Sequence, residues 1–240
     1  MSKENNFTGG LTMRIVLAVC AALSMLTSGM AYAKQVSIDM DLKKPGIATK
    51  EAEADEWFNK GNTAYQSKDY DEAIKCYKKA VETDPSFASG FYNLGIVYGV
   101  KGMPDEAISA YKKVLMIKPD YHTARVALGS VYIQKGMVKE AISELERVLA
   151  GSPDYARAHF YLGECYFTKG DKPRAAEHYY KAGTLFAGRG NTDWAQKSHD
   201  GLKKTNDEKR AKDLLDKINA GPKQEAIAVD QVIEIKPKAK

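Results

Sequence analysis

Small and apolar residues recur through the middle of this chain at one fixed spacing. Gly61, Gly95, Gly129 and Gly163 fall 34 residues apart. Ala73, Ala107, Ala141 and Ala175 keep that interval, and so do Pro85, Pro119 and Pro153. Leu94, Leu128 and Leu162 share the register, as do Tyr98, Tyr132 and Tyr166, and Gly102, Gly136 and Gly170. Two longer series run Tyr77, Tyr111, Leu145, Tyr179 and Ala80, Val114, Val148, Ala182. So regular a period marks stacked repeats, each too small to bury its own apolar face.

Within a repeat the apolar positions follow helical spacing. In the second unit a helix is expected from about Ala88 to Lys101, ended by Gly102 in the left-handed turn. Pro104 then opens a second helix, where its missing N–H costs nothing. Ala107, Tyr111, Val114 and Leu115 make that helix's apolar face, and Pro119 stops it. Gly95 and Ala107 are small because the two helices cross there, and tyrosines and leucines fill the space around the crossing.

Past Ala187 the period fails. Gly188 and Gly190 predict a loop. Asn191 to Lys204 predicts a helix with Trp194, Ala195, Ser198 and Leu202 on one face, and Asn206 to Ala220 a second with Ala211, Leu214, Leu215 and Ile218. These two are expected to cap the stack with a polar outer face. Gly221-Pro222 ends the regular pattern, and residues 221–240 are read as a tail in which Ile227 to Ile235 has strand-like alternation.

The start of the chain is of another kind. Residues 15–33 carry no charge, follow Arg14 and close on Ala31-Tyr32-Ala33 before Lys34. A basic flank, an apolar run and a small-x-small end form a secretory signal. A start at Met13 would give it ordinary length. An uncleaved anchor is the alternative, weakened by Ser24, Thr27, Ser28 and Gly29. Val19 before Cys20 speaks against a lipoprotein. Residues 34–53, with Lys43-Lys44-Pro45-Gly46, read as a linker.

Composition excludes more than it names. The chain has 240 residues, 44% hydrophobic and 28% charged, with 36 bases against 31 acids and a formal charge of +5. Removing the signal takes away Lys3, Arg14 and Glu4. The signs are interspersed, so nucleic-acid binding is not expected. Cys76 and Cys165 lie in different repeats, too far apart for a disulfide. No metalloprotease, hydrolase, phosphate-loop, dinucleotide or haem-attachment motif occurs, so no catalytic residue, cofactor or small-molecule substrate is expected. His159 and His178 fall on the two helices of one repeat, where packing is the expected role rather than a metal site.

The repeated residues resemble the tetratricopeptide repeat (TPR) family. Trp57, Gly61, Ala73, Tyr77, Ala80 and Pro85 take that motif's Trp, Gly, Ala, aromatic, Ala and Pro places. The likeness covers residues 54–187 as four units, 54–87, 88–121, 122–155 and 156–187. Lys60 and Ala64 depart from it in the first unit, Arg125 and His159 stand where a large aromatic is usual, and Ala187 replaces the closing Pro. The resemblance implies an all-α solenoid of four helix-turn-helix units with a C-terminal helical cap.

It also implies where a partner would sit, since the first helices of successive units line a groove in this family. Mapped here, that groove carries Phe58, Asn62, Tyr65, Tyr92, Asn93, Ile96, Val126, Ser130, Ile133, Arg157, Phe160, Glu164 and Phe167. Aromatic and apolar residues dominate it, which suits an amphipathic helix or an extended peptide. Asn62 and Asn93 match the asparagines with which some relatives clamp a chaperone's terminal carboxylate. The cation places of that clamp hold Phe58, Thr123 and Ala127, so that mode is not expected. The expectation is therefore a non-catalytic binder of another exported or membrane-associated protein in a periplasmic or other extracytoplasmic space. The alternative is a homo-oligomeric scaffold built by stacked solenoids.

Overall fold

A left-handed residue after every first helix sets the shape of each repeat. Gly102, Gly136 and Gly170 have φ of 70°, 73° and 78°, and the first unit makes the same turn with Lys68 at 62°. A side chain with a Cβ is disfavoured in this conformation, so glycine is the natural occupant and Lys68 the exception.

The computed structural model describes residues 49–222. The expected signal, most of the expected linker and the expected tail from residue 223 onward lie outside them. The chain divides into two units, Met1–Glu53 and Ala54–Lys240. Ten helices are described: α1 Lys50–Gln66, α2 Tyr70–Thr83, α3 Ala88–Val100, α4 Pro104–Ile117, α5 His122–Gln134, α6 Val138–Gly151, α7 Ala156–Thr168, α8 Lys172–Gly188, α9 Thr192–Lys204 and α10 Glu208–Ala220. No strand occurs among the described residues.

From α2 to α9 each helix packs on its successor, α1 meets α2 through Phe58 and Asn62 against Tyr77, and α10 closes on α8 and α9. The fold is an all-α solenoid, as the periodicity predicts. Proline at the first turn opens α4, and side chains cap others: Asp69 accepts from the Glu72 N–H, Asp171 from Arg174, Asn191 from Trp194 and Asp207 from Arg210.

The periodic glycines sit where helices touch. A Cβ on Gly95 would lie 2.5 Å from the Tyr111 ring, one on Gly61 2.5 Å from Tyr77, and one on Gly163 2.7 Å from Tyr179. The third unit pairs Gly129 with Leu145 at 3.0 Å. The ring thus fills the space that the missing side chain leaves. Ala73, Ala107, Ala141 and Ala175 are all fully buried at the same crossings.

Three boundaries differ from the sequence expectation. α1 begins at Lys50, so the last linker residues are helical, with Glu51 and Glu53 favourably placed in its first turn. Gly188 ends α8 rather than opening a loop, and only Gly190 turns, at φ 73°. α10 begins at Glu208 after an Asp207 cap, because Asn206 takes the left-handed turn at φ 67°.

Candidate functional site

The odd-numbered helices present their sides to one face, with α5 touching α7 and α7 touching α9. On the first two, sequence-predicted residues converge. Asn62 Oδ1 accepts hydrogen bonds from Tyr77 OH at 2.8 Å and Asn93 Nδ2 at 3.0 Å. These groups, with Tyr65, Gln66 and Ile96, line a cleft of about 280 Å³. The Asn62 carbonyl is committed to its neighbours, which leaves its amide N–H groups and the Asn93 carbonyl for a ligand. Tyr65 leans on Tyr70, with ring centroids 5.8 Å apart.

Other predicted residues serve the stack instead. Phe58 packs edge-on against Phe87 at 5.1 Å, and Tyr92 against Tyr121 at 5.6 Å. Phe160 meets Trp194 edge-on at 5.2 Å. Val126 is 4% exposed, so its side chain belongs to the core and not to an open groove. Ile133 and Phe167 are half-buried against that core. Ser130 Oγ donates to Ala127 O at 2.8 Å, and Glu164 Oε1 accepts from Tyr179 OH at 2.5 Å. Arg157 stays exposed, its Cζ 5.4 Å from the Trp194 ring centre.

Phe87, Tyr121 and Tyr155, which cap this face from the connections between units, were missed by the sequence reading. Their signal was present, since they too recur at the 34-residue interval. Tyr161 was missed as well; burial raises its hydroxyl pKa, with Arg157 and a Ser130 hydrogen bond pulling the other way. Burial pushes Tyr92 up to about 12. These phenols are therefore neutral O–H groups near pH 7.

Remaining candidates for chemistry are occupied. Burial pushes the Cys165 thiol up to about 12, and burial with a Glu72 hydrogen bond raises Cys76, so neither is a ready thiolate. His159 Nε2 lies 2.9 Å from Pro153 O, and its Nδ1 lies 3.0 Å from His178 Nδ1. A carbonyl only accepts, so His159 Nε2 carries the hydrogen and His178 Nδ1–H donates to the bare His159 Nδ1. The ring centroids are 5.3 Å apart, so the two Nδ1 atoms lie close to the line between the rings. That is a straight hydrogen bond with no room for an ion between them. Among the described residues no cluster of three or more metal-ligating side chains occurs.

Comparison with known proteins agrees with this architecture. Models of the TPR repeat and the tetratricopeptide repeat match residues 61–102, 101–149 and 126–189. The chain is a TPR protein. A crystal structure of MamA is 26% identical, with a TM-score of 0.56, covering 69% of this chain and 92% of that one. MamA 41-end from Desulfovibrio magneticus RS-1 is 23% identical, with a TM-score of 0.58, covering 70% and 94%. PilF of Pseudomonas aeruginosa is 22% identical, with a TM-score of 0.59, covering 74% and 80%. A 33-residue stretch is 54% identical to "Protein STIP1 homolog" of Dictyostelium discoideum, which is 14% of this chain and only 6% of that protein.

Proposed function

We propose that this protein is a non-catalytic adaptor that binds a peptide or helix of another protein along the face of its odd-numbered helices. The observation that carries the reading is the cleft between the first two units, where Asn62, Tyr65, Asn93 and Ile96 surround about 280 Å³. Apolar walls offer burial, and the remaining amide groups can hold a peptide backbone. The uncharged run at residues 15–33 supports an extracytoplasmic setting and hence an exported or membrane-associated partner.

In-cell photo-crosslinking from Tyr65 and Ile96, each replaced by a photoreactive residue, tests it. These positions line the cleft, whereas Tyr92 and Phe160 are taken up in aromatic packing within the stack. A crosslink to one other exported protein is the expected result. A ladder of self-crosslinks would replace the adaptor with a homo-oligomeric scaffold, and no crosslink at either position would end the groove reading.

A further inference from the structure

A second cavity, about 470 Å³, opens at the lip made by the starts of α5 and α7 and the α8–α9 turn. Its walls include His122, Tyr155, Arg157, Phe186 and Arg189. Unlike the first cleft, it is lined by charged side chains. Arg157 has no ion-pair partner among the described residues, its guanidinium resting near the Trp194 ring. His122 Nδ1 is buried without a hydrogen-bond partner, an uncommon state that calls for an explanation. Tyr155 makes no side-chain cap for α7, so the N–H groups of Ala156 and Arg157 at this wall lack intrahelical partners.

The acid that lines this cavity is already engaged. Asp154, on the same wall, pairs with Lys181 at 2.8 Å, and its carbonyl accepts from Arg189 at 3.1 Å. Glu164, further along α7, holds Tyr179. Tyr155 shares this wall, its hydroxyl 3.3 Å from Thr123 Oγ1. The Arg157 guanidinium thus stands at a cavity whose lining carboxylate, Asp154, is paired with Lys181, next to the Tyr155 ring.

We propose that this end of the face takes the carboxylate of an Asp or Glu side chain set within an otherwise apolar segment of a partner protein. The proposal rests on the groove reading and adds its charged determinant. Arg157 would hold the acid, bidentately in the strongest geometry, with the flanking apolar residues of the segment against Tyr155. This is not a clamp for a chain terminus, whose cation places here hold Phe58, Thr123 and Ala127.

A randomised dodecapeptide phage library selected on the purified full chain provides the test. Enriched peptides should carry an acid at one fixed position flanked by apolar residues. Synthetic versions should bind Arg157→Gln about tenfold more weakly, and selection on Arg157→Glu should replace the acid by Lys or Arg. Arg157 is exposed, so both variants should retain the wild-type helical circular dichroism. Apolar peptides without an acid, or an acid preference that survives in Arg157→Gln, would overturn the proposal and leave the groove reading standing. A library that yields no binder would overturn both.

Discussion

At the place where the TPR motif usually has a large aromatic, the four units carry Trp57, Phe91, Arg125 and His159. The residue nineteen positions later changes in step: Cys76, Ala110, Glu144 and His178. Arg125 bonds Glu144 at 2.5 Å and Pro119 O at 2.6 Å, and His159 bonds His178 and Pro153 O in the same register. The sequence shows both departures, but not that each polar group finds one partner across the hairpin and another in the preceding turn. The Arg125 and Glu144 side chains are only 14% and 18% exposed. Removing one partner strands a largely desolvated charge, so Glu144→Ala should cost about 3 kcal/mol. Replacing both with the second unit's chemistry, Arg125→Phe with Glu144→Ala, should be neutral or stabilising. Urea unfolding of the three proteins checks this, and a double variant as weak as the single one would refute it.

At the scale of helices, the repeat was legible and its end was not. Glycine, alanine and proline fix crossings and stops, so α3 to α7 lie where the periodicity puts them. α8 has 17 residues against 14 in α2, α4 and α6, which throws the cap out of register. Nothing periodic announces that, although α9 still packs on α8 by the same device. A Cβ on Gly201 would lie 2.6 Å from the Tyr179 ring. The groove was legible in part, because a motif place says which helix face a residue occupies but not whether a neighbouring connection covers it. Phe87 and Tyr121 do this to Phe58 and Tyr92.

The fourth unit also carries an acid-sensitive bond. Burial and the neighbouring His159 hold His178 at about 4, below an ordinary 6.5, and burial lowers His159 too. Tyr166 stacks on His178 and carries Arg174 on its ring, while Glu177, Asp154 and Lys181 set the remaining local field. The unfolded chain takes the proton that the fold resists. The stability is therefore intact above about pH 6.5 and is lost as pH falls from there towards 4. The loss should be about 1–3 kcal/mol. His159→Phe with His178→Ala should remove it, and urea midpoints between pH 7.5 and 4.5 compare the two proteins. Equal pH slopes would mean the pair is not the sensor.

Across the whole molecule, neighbouring repeats are tied by an ion pair that recurs and then stops. Lys101 bonds Asp71 and Lys135 bonds Asp105, each joining the end of one unit's first helix to the start of the previous unit's second. The same places at the next junction hold Lys169 and Lys139, so register brings two cations together where an acid is due. In a solenoid, stability is close to a sum of unit terms and nearest-neighbour interface terms, so one junction is weaker than its equivalents. Lys139→Asp should install the missing pair with Lys169. Exposed pairs contribute little, so the gain should be about 0.5–1 kcal/mol, including relief of the like charges. It should shrink in 0.5 M salt, where the screening length falls to a few ångströms. Lys139→Ala separates the two contributions, since it relieves the repulsion without making the pair. If Lys139→Asp is no more stable than Lys139→Ala at low salt, the recurring pairs do not couple the repeats, and the junctions are held by the buried tyrosines and alanines alone.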